Sequence, residues 1–350
     1  AEFPRDSQEA PPTAKGVRKS VWEPKHRGGD AQKQRRARDA PPEPGLDVEF
    51  PLPLQRHFAY PELLSSFPGG FEAYRCQTKR SSRFVEVHVM PLADQADRAI
   101  FEGQVKALRA DDASYLGWRR DRDVGGRKGL LVTEAAESRL SDIALTPDFE
   151  EVWSRFHVGV QLSASLLAMS RAGYVHGAVE PGNVWVSRDS DGRILRAFLS
   201  HRGPALVKGS RISAVAALAL SGGSEMYMAP ELRDGTGVFT DKSDVYSLGA
   251  MLFGLLVGHP PEKEWMHSAI FDSFCLKFPG VGQLLLDCLR DPHGRITLDQ
   301  MAWRLRHIYG EEHADEQHHV ARADTTGLPP LCTRTSRVGV FMDRICRLKP

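Results

Sequence analysis

Apolar and polar side chains alternate from Arg83 to Val89, with Val85, Val87 and Val89 set against Glu86 and His88, and this pattern predicts a strand. Leu130-Leu131-Val132-Thr133-Glu134 and Ile194–Phe198 predict two further strands, the latter following a hairpin turn over Arg188–Arg193. Asp94–Ala110 predicts a helix. So does Phe149–Ala172, where Val152, Phe156, Val160, Leu162, Leu166 and Leu167 recur at helical spacing before Gly173, a C-terminal stop signal. Asp244 opens another helix that becomes wholly apolar over Ala250–Val257. The ends differ in kind. Residues 1–45 are rich in Pro, Gly and Arg and have too few apolar positions for a core. Residues 46–66 carry Val48, Phe50, Leu52, Leu54, Phe58, Leu63 and Leu64 and are expected to pack on the strand-rich segment C-terminal to them. Val338, Val340, Phe341, Ile345 and Leu348 form a stripe that predicts a C-terminal segment folding back.

The candidate chemistry lies in His176-Gly177-Ala178-Val179-Glu180-Pro181-Gly182-Asn183. This resembles the protein-kinase catalytic loop, His-Arg-Asp-x-Lys-Pro-x-Asn. Ala178 stands where that loop has the aspartate that accepts the substrate hydroxyl proton, and Glu180 where it has a lysine. A methyl group accepts no proton, and a carboxylate repels phosphate. His176, Pro181 and Asn183 keep the frame.

Three later segments extend the resemblance in the same order as in kinases. Tyr227-Met228-Ala229-Pro230-Glu231 contains Ala-Pro-Glu. Asp244-Val245-Tyr246-Ser247-Leu248-Gly249 resembles the buried helix whose aspartate holds the loop backbone. Asp291-Pro292-His293-Gly294-Arg295 supplies the arginine that pairs with the Ala-Pro-Glu glutamate, which implies a Glu231–Arg295 ion pair.

The nucleotide side is altered too. His88 occupies the position of the strand-three lysine, and neutral imidazole is a poor phosphate anchor. Gln104 occupies the position of its glutamate partner, with Glu102 as the alternative register. Ser66–Ala73 replaces the glycine-rich loop, and its Pro-Gly-Gly reads as a plain turn. Leu199-Ser200-His201 falls where Asp-Phe-Gly belongs, and Leu199 cannot bind a hard cation. Asp189 and Asp191 read as solvated turn residues. Lys79 and Lys106 are the lysines that could substitute, without a spacing that favours either.

The resemblance implies an α+β, bilobal protein-kinase-like fold with a small β-rich N-lobe, a larger helical C-lobe, and extensions at both ends. The expected divisions are a basic arm at 1–45, an extension at 46–66, the N-lobe at 67–134, the C-lobe at 135–310 and a C-terminal extension at 311–350. Thr133 is the expected gatekeeper at the lobe junction, and Pro204–Glu225 the activation segment. Glu86-Val87-His88-Val89, the His176-Gly177 opening and the basic N-terminal region resemble the rhoptry-type secreted kinases of apicomplexan parasites such as Toxoplasma, a family with several pseudokinases. That resemblance implies a protein that is not an enzyme: a secreted interaction or scaffold module of a vacuole or cyst wall, with protein partners, no cofactor, and neither ATP nor magnesium bound. The alternative is an atypical transferase or a nucleotide-binding regulatory homologue.

Composition narrows this further. The formal net charge of +1 argues against a general nucleic-acid binder. Arg35-Arg36-Ala37-Arg38 lies in a basic run that could meet lipid head groups, but it lacks the apolar face of a membrane helix, so a solvated tail is expected. No apolar stretch approaches the ~20 residues of a membrane-spanning helix. Ala1-Glu2-Phe3 reads equally as an added remnant or a processed start. The five cysteines contain no Cys-x-x-Cys, which disfavours zinc. In an oxidising compartment, as the family resemblance implies, Cys275 with Cys288 and Cys332 with Cys346 could close two disulfides; in a reducing one, all five are thiols.

Overall fold

The structure, a computed structural model, describes residues 50–67, 70–110, 115–121, 128–142, 152–190, 194–201, 203, 205–211, 225–233, 237–259, 261–262 and 266–323. The described residues belong to one compact unit. Its first part is an antiparallel sheet of β1 (Phe58–Phe67), β2 (Phe71–Thr78), β3 (Phe84–Pro91), β4 (Tyr115–Asp121) and β5 (Lys128–Glu134), in the order β1-β2-β3-β5-β4. Alternation along β3 assigns its two faces. Val85, Val87 and Val89 join Leu54, on a 3-10 turn at Leu52–Arg56, and Phe50 and Phe58, which flank that turn, on the outer face. Met90 joins Phe71, Ala73 and Leu131 on the inner face, under Phe101 and Leu108 of helix α1 (Gln95–Ala110). Glu86 and His88 share that inner face by parity, and both are fully buried.

β6 (Ser138–Arg139) follows the connector from β5. The second part contains α2 (Val152–Arg171), β7 (Tyr174–Val175), β8 (Val184–Arg188), β9 (Ile194–Leu199), β10 (Leu206–Val207), α3 (Pro230–Arg233), α4 (Asp241–Val257), α5 (Ala269–Lys277), α6 (Pro279–Cys288) and α7 (Leu298–Ala323). Every residue from Ser243 to Val257 is buried, so α4 is the axis around which α2, α6 and α7 pack, and it needs no polar stripe. Gly258, at φ +84°, ends α4 in the left-handed conformation that glycine adopts without strain. No helix among the described residues is long and apolar enough to cross a membrane.

Two expected divisions move. Residues 58–66 form the first strand of the sheet rather than an extension, because their backbone pairs with β2 from Phe58–Thr78 to Phe67–Phe71. The division at residue 310 falls inside α7, whose described backbone is helical from 298 to 323. The expected basic arm, the folding-back stripe at 338–348 and most of the activation segment lie outside the described residues.

The disulfide expectation is corrected for Cys275 and Cys288, which are both free thiols. Each packs into its own glycine notch. A Cβ added to Gly249 would lie 2.4 Å from Cys288 Cβ, and one added to Gly282 would lie 2.5 Å from Cys275 Sγ. Burial pushes both thiols up from the usual range. Cys332 and Cys346 lie outside the described residues.

Candidate active site

The loop 176–183 is held from beneath by α4. Asp244 Oδ2 accepts the His176 backbone N–H and Oδ1 accepts that of Gly177, both at 2.8 Å. Burial nevertheless pushes the Asp244 carboxyl up to about 6, because desolvation outweighs these two bonds. Asn183 closes the loop on itself, its Nδ2 donating to Ala178 O at 2.9 Å. His176 bridges to the following strand: its Nε2 is 3.2 Å from Ser200 O, and its Nδ1 is 3.3 Å from the Ala178 N–H. Those partners suit the neutral tautomer with the proton on Nε2. Burial lowers the His176 pKa to about 4, partly opposed by the bond to Ser200.

Gly177 has φ +72°, and a Cβ there would lie 2.5 Å from Leu206 Cδ1 and 2.9 Å from the Phe239 ring. This accounts for a glycine where kinases have arginine. Gly177→Ala is expected to cost about 1–2 kcal/mol in chemical denaturation; a neutral result would mean that the loop relaxes freely.

Ala178 is buried in an apolar cluster with Val175, Leu206, Met228, Phe239 and Tyr246. Glu180 is also buried; burial of Tyr227, with the Glu180 charge as a second cause, raises the Tyr227 hydroxyl. Glu231 and Arg295 form a bidentate pair, Nη1–Oε1 2.6 Å and Nη2–Oε2 3.1 Å, and Arg295 Nη1 also reaches Lys242 O at 2.8 Å.

On the opposite side, His88 Nε2 lies 3.4 Å from both Thr133 Oγ1 and Glu86 Oε1. Burial lowers its pKa, against an opposing pull from Glu86. Gln104, on the inner face of α1, accepts the Ala205 N–H and approaches Gly203 O at 3.5 Å, tying the helix to the segment after β9. Glu102 and the two substitute lysines, Lys79 and Lys106, are exposed. Leu199 is fully buried in the C-lobe core, paired with Val184 across β8–β9.

Sequence reasoning missed what the tertiary fold adds to this set. His201 lies with its ring centroid 5.0 Å from that of His176, and burial plus the neighbouring His176 and His88 hold its pKa well below 6.5. Glu86 Oε2 accepts Trp185 Nε1 at 2.8 Å and so joins β3 to β8 across the lobes. A carboxylate two residues from His88 on a buried strand face was the available signal.

The divalent metal used by kinases does not fit these residues. Leu199 offers no oxygen, and among the described residues no group of three or more His, Cys, Asp or Glu side chains is placed to hold a metal ion. Asp191 lies outside the described residues.

Comparisons with known proteins define the class. Among solved structures, Rad53 1–466 in complex with AMP-PNP matches with a TM-score of 0.50 and 16% sequence identity, over 73% of this chain and 66% of that one. The fold is protein-kinase-like, α+β, with a sheet-bearing N-lobe and a helical C-lobe.

In sequence, the chain is 33% identical over 201 residues to the serine/threonine-protein kinase PknK of Mycobacterium bovis, covering 55% of this chain and 17% of that protein. It is 36% identical over 97 residues to the serine/threonine-protein kinase PknL of Mycobacterium tuberculosis, covering 27% and 22%. It is 29% identical over 169 residues to the serine/threonine-protein kinase pkn2 of Myxococcus xanthus, covering 48% and 20%. The chain thus spans about a fifth of the length of the curated relatives it matches. No protein-family model matches it.

These relatives correct one expectation. The altered loop and the rhoptry-type resemblance led to the expectation that the chain is not an enzyme, but the proteins it matches in sequence are kinases by name and point to an enzyme. Residue exchange at 178, 180 and 199 concerns individual groups. The similarity extends well beyond them, and the frame that presents the loop is intact.

Proposed function

We propose that this chain is a serine/threonine-kinase-type domain, related to phosphotransferases and working with altered active-site chemistry. The observation that supports this reading is the loop frame: Asp244 grips two successive backbone amides while Asn183 grips the Ala178 carbonyl. Such pre-set geometry costs nothing to reorganise when a substrate arrives. The acid–base part is changed. The acceptor proton has no carboxylate at Ala178, and Glu180 is the one carboxylate within 176–183. Positions 183 and 199 together do not form a metal site, since leucine offers no ligand atom.

The test is transfer of labelled phosphate from ATP to a protein substrate. Wild type is expected to exceed a heat-denatured control. Ala178→Asp is expected to raise the rate about tenfold, less than the 10²–10⁴ a general base commonly contributes, because Leu199 still supplies no metal ligand. Label at background in both proteins would sink the reading.

A second reading is favoured by the neutral or apolar groups at His88, Ala178 and Leu199: a regulatory module whose output is binding of protein partners. Substitution of Ala178 by Asp would leave partner binding unchanged on this reading, while altering only label transfer. Secretion to a vacuole or cyst wall rests on the short motifs at 86–89 and 176–177, and the relatives matched in sequence are bacterial.

A further inference from the structure

A surface groove of about 410 Å³ opens at the N-terminal end of α7, lined by Ile296, Asp299, Gln300, Trp303 and Arg304. Almost all of its open wall consists of apolar atoms. Ile296 packs against the C-lobe core at the floor. Trp303 stands beside it 59% exposed, stacked on the His307 ring with centroids 4.8 Å apart and 19° between the planes. A large aromatic left open next to an apolar hollow marks a surface that something covers. The charges at the rim already have partners in the protein: Asp299 pairs with Arg171 at 3.1 Å, and Arg304 with Asp287 at 2.6 Å. The groove therefore selects an apolar occupant rather than an ion.

The chain itself carries such an occupant. Val338, Phe341, Ile345 and Leu348 recur at intervals of three, four and three residues, which is one stripe of a helix. Arg337, Asp343, Arg344 and Arg347 fall outside that stripe. A helix this short is marginal in water and needs a surface to pack on. Gly327, Pro329 and Pro330 precede it, the residue types that break a helix and let the chain reverse. The return path is long enough. Ala323 ends α7, and Trp303 lies about 30 Å back along the helix at 1.5 Å per residue. Residues 324–337 can extend to about 46 Å.

We propose that residues 338–348 dock in this groove of their own chain as an amphipathic helix, with Phe341 and Ile345 against Trp303 and Ile296. The inference rests on the groove and the C-terminal stripe and needs no phosphate transfer, so it and the functional reading fail separately.

Hydrogen exchange of the full chain, read by mass spectrometry, is the test. Wild-type amides over 338–348 are expected to exchange at least about tenfold more slowly than those of a free peptide of the same sequence. Trp303→Ala and, independently, Phe341→Asp are each expected to remove that protection while amides over 298–305 stay protected. If Trp303→Ala loses its cooperative melt, Phe341→Asp, which changes no residue of α7, carries the test. Exchange at the peptide's rate in wild type would overturn the proposal and leave the groove to another occupant. Protection that survives both substitutions would overturn it as well, since the segment would then pack elsewhere. Protection that falls on dilution would assign the contact to a second copy of the chain and overturn docking within one chain.

Discussion

Arg295→Leu is expected to destabilise the protein by about 3–5 kcal/mol, with a fall in melting temperature of roughly 10 °C. The guanidinium is fully buried, holds both oxygens of Glu231 and also reaches the Arg290 and Lys242 carbonyls. Leucine fills much of the space but leaves Glu231 with its charge uncompensated and two carbonyls without their donor. The loss reaches beyond the pair. Glu231 lies in α3, Lys242 lies in the first turn of α4, and Asp244, on the same turn, holds the loop at 176–177. A double substitution, Arg295→Leu with Glu231→Leu, is expected to recover part of the stability, because no buried charge is then unmatched. Urea denaturation of wild type and both variants checks this. A loss under about 1 kcal/mol for Arg295→Leu would show that the pair is not a structural anchor.

Acid is expected to destabilise the fold between pH 6.5 and 4. His88, His176 and His201 are neutral when folded, with pKa values lowered by burial, so the unfolded chain binds more protons than the folded one in this window. Stability present above pH 6.5 is therefore lost as the pH falls toward the folded values.

Asp244 acts in the opposite direction. Its carboxyl is raised from 3.8 to about 6, so the folded state gains stability as the pH falls through that range. His176 and Asp244 each account for a few kcal/mol of opposite sign and nearly offset one another. His88 and His201 then decide the direction. Glu86 faces His88 and favours its protonation, while Lys208, in the turn after β10, and Asp241, on α4, act on Asp244. Urea midpoints measured at half-unit pH steps give the slope, and His201→Phe is expected to flatten it. A midpoint that is level or rising toward pH 4.5 would contradict the assignment of three buried neutral histidines.

Much of the frame was legible along the chain because kinase-like frames are built from short contiguous motifs. Asp244, Glu231 and Arg295 each stand in a segment readable by itself, and their pairing is implied once the order of the segments is seen. The register at α1 was open between Glu102 and Gln104 because both lie on a helix that is polar overall. Packing chooses Gln104, which turns inward to Gly203 and Ala205. The disulfide expectation failed at Cys275 and Cys288 because proximity in sequence says nothing about where two thiols point, and here each seats against a glycine on a helix.

The sequence by itself determined the class of fold, the order of its elements and the chemical character of positions 88, 104, 178, 180 and 199, since these depend on local pattern and residue identity. Only the tertiary structure decided what those positions meet. Three histidines separated by up to 113 residues come together at one junction, and Arg75 finds Ala136 and Trp185 from another strand. Such meetings are set by strand register and by the closure of one lobe on the other. Burial then fixes the charge of each group that meets there, a property that residue identity alone does not carry.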